Sequence, residues 1–302
     1  MSEGYELQVL ERGWLSSNNV IVGNAAEVTV IDTGYVSHAE QTEDLVRQAL
    51  RGRRLRRIVN THLHSDHCGG NARLVRAFGC EVWIPPGQWD AVLRWDTQAL
   101  SFAPTGQRSE RFFPDRALVP GDSLDMGGRS WLISSAPGHD PHAVILFEPH
   151  DATLVSADAL WENGFGIVFP ELEGEHGFGA VSATLDAIEQ FDPQTVIPGH
   201  GRPFSDVKGA LDRARRRLDA LAADPQKHAR HAAKVLLKFR LLETRREPRP
   251  HLLAWADGTD YMRRIHRSYF SGEDRTNWLS RLLDEMCAGG ALRSDGTMII
   301  DI

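Results

Sequence analysis

Cysteine is scarce in this chain: Cys68, Cys80 and Cys287 are the three present in 302 residues, an odd number at wide spacing. Such a set builds no disulfide framework and suits free thiols in a reducing compartment. No run approaches the ~18 consecutive apolar residues that mark a transmembrane helix. The opening MSEGYELQVLERG lacks a basic segment followed by an apolar one, so no secretory leader is expected. These absences point to a cytoplasmic protein with no membrane partner. Short-period repeats and low-complexity tracts are missing too, which excludes a solenoid or a linker-like chain. What is present, 41% hydrophobic and 25% charged residues, is the composition of an ordinary folded protein.

The net charge of −7 hides an asymmetry. Up to Val207 there are 15 Lys and Arg against 28 Asp and Glu; from Lys208 onward there are 19 against 13. The split suggests two units and raises the question of an acidic partner for the basic one. A solvated basic surface, or one docked on the acidic unit, explains the same numbers, because net charge speaks to association and not to fold.

Val20–Val22, Glu27–Ile31, Leu55–Val59 and Glu81–Ile84 read as strands, with helices over Glu40–Leu50 and Gly69–Phe78. The alternation returns with strands at Trp131–Ser134, Val144–Phe147, Thr153–Val155 and Thr195–Ile197, and helices at Val181–Phe191 and Ala210–Leu221. Two similar halves of this kind predict a layered α/β or α+β architecture, sheets inside and helices outside. Asp224-Pro225 marks a boundary, giving domains of 1–222 and 223–302. Beyond it come a basic helix Gln226–Arg246, a break at Pro248-Arg249-Pro250, helical runs within His251–Phe270 and over Arg275–Ala288, and a terminal hairpin around Ser294-Asp295-Gly296.

The densest chemistry is His62-Leu63-His64-Ser65-Asp66-His67, followed by Cys68-Gly69-Gly70. Four possible ligands sit in six residues directly after a strand. Imidazoles one residue apart converge only where the chain turns at a strand end. Neutral imidazole and carboxylate are ligands for borderline divalent metals such as Zn²⁺. Asp66 and His67 diverge from the first pair, which suggests two metals. A polar loop with chance histidines is the bland alternative, and 13 histidines in 302 residues make such a cluster improbable.

His62-x-His64-x-Asp66-His67 resembles the signature of the metallo-β-lactamase-fold hydrolases. The family's other motifs follow in order: Asp32 in Ile31-Asp32-Thr33-Gly34, His139 in Ala136-Pro137-Gly138-His139, Asp158 in Ser156-Ala157-Asp158, and His200 in Pro198-Gly199-His200-Gly201. The resemblance covers roughly residues 5 to 205. It implies a four-layer αββα sandwich with two divalent ions at one edge, most simply Zn²⁺, with Mn²⁺ or Fe²⁺ as alternatives. By position His62, His64 and His139 would hold the first metal, Asp66, His67 and His200 the second, and Asp158 would bridge them. A hydroxide between ions about 3.5–4 Å apart would be the nucleophile. Asp66 and Asp32 are the carboxylates assigned to the catalytic machinery, Asp66 as a ligand and Asp32 as the acceptor that orients the histidine loop. Taken alone, Asp32 suits a simple turn, His139 the cap of a Pro-Gly turn, and Asp158 a helix N-cap.

His142, Trp161, Phe165 and His176 are candidates for substrate contact, with loop anchoring as the alternative. Phe169, Trp89, Trp95, Phe102, Phe112 and Phe113 lie in similarly irregular stretches. Cys68 reads as a small packing residue beside a ligand. The tail resembles the winged-helix segment attached to some hydrolases of this fold, including a group related to a mitochondrial single-strand endoribonuclease. Its helix before the wing carries Asp284 and Glu285 with only Arg275 and Arg281, a poor phosphate reader, so a docking, lid or dimer role is preferred.

The expected function is hydrolysis of an ester, thioester or lactone of a small acyl substrate. The alternative is cleavage of single-stranded RNA along the basic tail. Oxidation at a single iron fits the complete seven-residue set less well. Diiron electron carriers of the fold place Glu where His64 stands, and an antibiotic-destroying lactamase would be exported. A homo-oligomer is compatible with all of these readings.

Overall fold

The computed structural model describes residues 4–302; Met1–Glu3, which the expected first domain includes, lie outside the described residues. The chain forms two compact units, one from the residues up to Leu100 together with Arg108–Asp219, the other from Ser101–Gln107 and Ala220–Ile302.

The first unit contains two sheets. One runs in the order β1 (Glu6–Leu10), β2 (Asn19–Gly23), β3 (Glu27–Ile31), β4 (Arg54–Val59), β5 (Glu81–Ile84), β6 (Arg116–Ala117). Its first three strands pair antiparallel and the rest parallel. The other comprises β7 (Ser123–Met126), β8 (Arg129–Ser135), β9 (Val144–Glu148), β10 (Thr153–Ala157) and β11 (Thr195–Pro198), in the spatial order β11-β10-β9-β8-β7. Only β10 and β11 are parallel in this second sheet. The unit's helices are α1 (Ala39–Leu50), α2 (Ser65–Cys68), α3 (Asn71–Phe78) and α4 (Trp89–Arg94); α5 (Phe102–Thr105) belongs to the second unit; then follow α6 (Phe169–Leu172), α7 (Gly177–Phe191) and α8 (Val207–Ala222).

The apolar residues explain the layering. Along β8, Trp131 and Ile133 are buried while Leu132 between them is exposed, the period-two pattern of a strand with one covered face. Trp131 and Ile133 join Val144, Leu146, Val155 and Ile197 of the same sheet, and Val20, Val22, Ile31 and Val59 of the other, in one hydrophobic core. Helices pack outside, α3 against β4 and β5 with α1 against α3. This is the expected two-sheet sandwich.

In the second unit α9 (Pro225–Thr244), β12 (Arg246–Pro248), α10 (Arg249–Gly258), α11 (Asp260–Tyr269), α12 (Arg275–Ala288), β13 (Leu292–Ser294) and β14 (Met298–Asp301) follow in order. The strands form a three-stranded sheet, β12-β14-β13. Leu236, Leu237, Leu252, Met262, Ile265, Trp278, Leu282 and Leu283 are buried in its core.

Several boundaries differ from the sequence reading. The helix expected to run to Arg246 stops at Thr244, because Arg245 adopts φ 63° and the chain then pairs with β14. Thr259 is extended and divides the expected His251–Phe270 run into α10 and α11. The helix expected from Gly69 begins at Asn71, since Ser65–Cys68 forms a turn of its own.

Candidate metal centre

Parallel pairing places the motifs at one level. Ile31 pairs with Val59, so Asp32 and Thr61-His62 leave β3 and β4 together. Val155 pairs with Ile197 and Ala157 with Pro198, so Asp158 and His200 leave β10 and β11 together. His139 lies in the connection from β8 to β9, and the Val144 amide, where β9 begins, donates to the Thr61 carbonyl at 2.9 Å. Five stretches far apart in sequence thus meet at one edge of the sandwich.

There the side chains form two groups. The ligand atoms of His62, His64 and His139 lie within 4.8 Å of one another, as do those of Asp66, His67, Asp158 and His200. In the first group His64 Nδ1 is 2.7 Å from His139 Nε2. His139 Nδ1 lies 2.6 Å from the Ile167 carbonyl, so that nitrogen carries the proton and Nε2 presents a lone pair. In the second group His200 Nε2 is 3.1 Å from Asp66 Oδ2. Asp158 faces both groups, with Oδ2 at 3.3 Å from His139 Nε2 and 3.4 Å from His67 Nε2.

Asp32 fixes the histidine loop. It sits in the left-handed region, φ 57°, and is buried. Its Oδ1 accepts from the Thr61 amide at 2.9 Å, and its Oδ2 takes the Thr61 hydroxyl and His67 Nδ1, each at 2.8 Å. His67 is thereby oriented with Nε2 toward Asp158. Two glycines make room for the groups. A Cβ on Gly199 would lie 2.1 Å from Asp158 Oδ1, and one on Gly166 would lie 2.4 Å from His139 Nδ1.

The electrostatics fit a cation. Burial, reinforced by the neighbouring histidines, drives His62 well below its ordinary value; burial and His139 bring His64 down to about 4. Both rings are therefore neutral near pH 7. In the second group burial opposes charge, yet His67 is held well above its ordinary value by Asp158, Asp32 and Asp66. Asp158 is correspondingly kept ionised by His67 and His200 against its burial. Three buried ring nitrogens, His62 Nε2, His67 Nε2 and His200 Nδ1, have no hydrogen-bond partner. Unpartnered buried ring nitrogens and clustered buried carboxylates are costly without a positive charge among them; without an ion His67 itself carries that charge, and the donor set of imidazole and carboxylate suits a divalent ion in its place.

Aromatic rings flank both groups. Phe169 packs edge-on against His64, ring centres 5.1 Å apart. Trp14, 57% exposed, stacks on His200 at 5.4 Å and meets Trp161 edge-on at 5.4 Å. Trp161 Nε1 donates to Asp158 Oδ1 at 3.1 Å. Of the residues expected to contact substrate, Trp161 is therefore at the centre. Phe165 is only 1% exposed and packs beneath His139 and Asp158 around a small cavity. His142 is exposed, its ring over Gly87, and His176 is exposed at the start of α7. Sequence reasoning missed Trp14, in the β1–β2 loop and remote from every motif. It also missed Asp140, whose Oδ2 is 3.7 Å from His64 Nε2; its place directly after His139 was the available signal.

A two-sheet sandwich with five histidines and three carboxylates gathered at one edge defines a class of metal-binding proteins built on paired sheets. The chain belongs to the metallo-β-lactamase superfamily, whose family model matches residues 12–200. It is similar to the hydroxyacylglutathione hydrolase of Acidiphilium cryptum, 29% identical over 64% of this chain and 70% of that protein. It is also similar to the human acyl-coenzyme A thioesterase MBLAC2, 23% identical over 65% of this chain and 78% of that protein. The first curated relatives are matched over only part of their length, from 36% upward. Among solved structures, a β-lactamase domain protein from Burkholderia ambifaria shares the fold over 99% of this chain and 92% of its own, with TM-score 0.60 and 19% identity.

Proposed function

We propose that the chain is a dinuclear metallohydrolase acting on a small acyl thioester, or a related ester or lactone. His62, His64 and His139 would hold one divalent ion, Asp66, His67 and His200 the other, with Asp158 shared; Zn²⁺ suits these ligands, as do Mn²⁺ and Fe²⁺. The observation that carries the reading is Asp158 Oδ2, which lies within 3.4 Å of a histidine nitrogen from each group. The relatives named as glutathione thioester and coenzyme A thioester hydrolases support the acyl substrate. Bound ions supply a water acidified toward neutral pH and polarise the acyl carbonyl.

The protein's own groups do the rest. Asp32 keeps His67 in one tautomer and orientation. Asp66, an ionised carboxylate under the influence of His67 and His200, offers Oδ2 as a proton acceptor at the site. Trp14 and Phe169 offer apolar faces beside the two groups, where an acyl chain is shielded from water. In the reaction the acyl carbon gains oxygen from water, the C–S bond breaks, and the sulfur leaves with a proton.

RNA cleavage is the weaker reading because many basic residues of the second unit are paired with carboxylates within it. Arg230, Lys234 and Arg281 pair with Glu285, Lys238 and Arg245 with Asp301, Arg249 with Asp284, and Arg275 with Asp257. The strand order β12-β14-β13 with the hairpin after α12 supports a winged-helix-like domain whose paired charges suit docking better than phosphate tracking. We read the domains as 1–222 and 223–302, and the compartment as the cytoplasm. Among the described residues no helix is long and apolar enough to cross a membrane. A panel of acyl thioesters and lactones, run beside single-stranded RNA on the metal-loaded protein, tests the reading. Thioester turnover that His64→Ala abolishes is the expected result; RNA cleavage with no acyl turnover overturns it.

A further inference from the structure

We propose that Trp161 is a positioning residue that makes Asp158 a one-oxygen bridge; this rests on the two-ion reading above. The two oxygens of Asp158 have different surroundings. Oδ2 faces His139 Nε2 and His67 Nε2 at 3.3 and 3.4 Å. Oδ1 accepts the indole N–H of Trp161 at 3.1 Å and stands 3.9 Å from His200 Nε2. One oxygen is thus occupied by a neutral donor, and the other is left to lie between the two groups.

The indole is itself held. The Trp161 amide donates to the Gly164 carbonyl at 2.7 Å, closing a tight turn directly after Asp158. The ring is buttressed edge-on by Trp14 and by His200, at 5.4 and 5.7 Å. On the far side, a Cβ on Gly199 would fall 2.1 Å from Oδ1, so the absence of that carbon lets the carboxylate lie where the indole reaches it. A carboxylate free to rotate could chelate one ion with both oxygens and leave the other short of a ligand. The indole hydrogen bond removes that choice. Its consequence is selective: Oδ1 lies on the side of the second group, 3.9 Å from His200 Nε2, so an Asp158 released by the indole would turn both oxygens toward that group and leave the ion of the first group with three histidines alone, as the weaker-bound equivalent.

Trp161→Phe tests this, because it removes the N–H and keeps an aromatic ring in the stack. Zn²⁺ is titrated into the metal-free wild type and variant against a chromophoric chelator, with the melting temperature of each metal-free protein recorded to establish folding. The expected result is unchanged affinity for the first equivalent of Zn²⁺ and an affinity for the second weakened about 10–100-fold, the usual effect of losing an outer hydrogen-bond partner. Co²⁺ substitution, read by its visible spectrum, is expected to show the change confined to the second equivalent. Both equivalents binding as in the wild type overturns the inference. So does loss of the second only in Trp161→Ala, which would assign the effect to ring packing. If Trp161→Phe does not fold, the indole ¹⁵N–¹H resonance of Trp161 in the wild type decides: protection from solvent exchange on the second Zn²⁺ equivalent is expected, and unchanged free exchange contradicts. A wild type that binds fewer than two ions refutes the two-ion reading itself, an outcome distinct from the variant's.

Discussion

At the residue scale the site depends on groups that touch no substrate. Asp32 carries three hydrogen bonds, two to Thr61 and one to His67. Asp32→Asn is expected to keep the fold and lower metal affinity about 10–100-fold, because His67 loses the carboxylate that sets its tautomer; competition with a chelator measures this, and wild-type affinity would contradict it. A second residue links stability to pH. His38 is lowered from its ordinary value by burial and by Arg12, and its Nδ1 lies 2.8 Å from the Ser16 hydroxyl. A group with a depressed folded pKa favours folding when neutral. Its contribution is complete above about pH 6.5 and is lost as pH falls through the folded value. Urea midpoints of wild type and His38→Gln are therefore expected to differ most near neutrality and to converge on acidification; a pH-independent gap refutes the assignment. The seven ligand candidates were legible in the sequence because imidazoles and acids are rare enough to stand out beside strand ends. Trp14 was not legible, since an aromatic in a loop has the same local signature whether it anchors the loop or stacks on His200.

At the element scale the work is done by strand ends. Parallel pairing of β3 with β4, and of β10 with β11, aligns the departing loops, and this could be anticipated from apolar runs followed by Asp32, His62, Asp158 and His200. Short polar strands escaped notice. β1, Glu6–Leu10, is half-buried along its length and shows no covered face, while β7, Ser123–Met126, alternates exposed and buried but over only four residues, too short a run to stand out. The turn after β11 carries the sharpest steric demand. Gly199→Ala would place a Cβ 2.1 Å from Asp158 Oδ1 and 2.9 Å from His67 Cε1. Because those atoms belong to held side chains, the turn must shift and His200 with it. Thioester turnover is expected to fall about 100-fold or more, the scale set by an ångström's misplacement, while the melting temperature of the metal-free protein changes by only a few degrees. Turnover equal to the wild type would show that the carboxylate moves freely.

At the scale of the whole molecule the charge asymmetry has a structural resolution. The sequence suggested a basic tail, and many of its cations within the second unit pair with carboxylates there, such as Glu285, Asp301 and Glu273. Residue counts give charge and not pairing, which is why the nucleic-acid reading could not be dismissed from the sequence. Thioester hydrolysis is accordingly expected to change less than about twofold between about 50 and 200 mM salt, whereas a process resting on many phosphate contacts would lose orders of magnitude over that range. The central claim concerns the edge of the sandwich, where imidazoles and ionised carboxylates surround a space suited to positive charge. Elemental analysis of the purified protein before and after chelation, with thioester turnover followed in parallel, tests it most directly. Two divalent ions per chain, lost together with activity and restored together on adding metal, is the result expected; full turnover by the metal-free chain would contradict it.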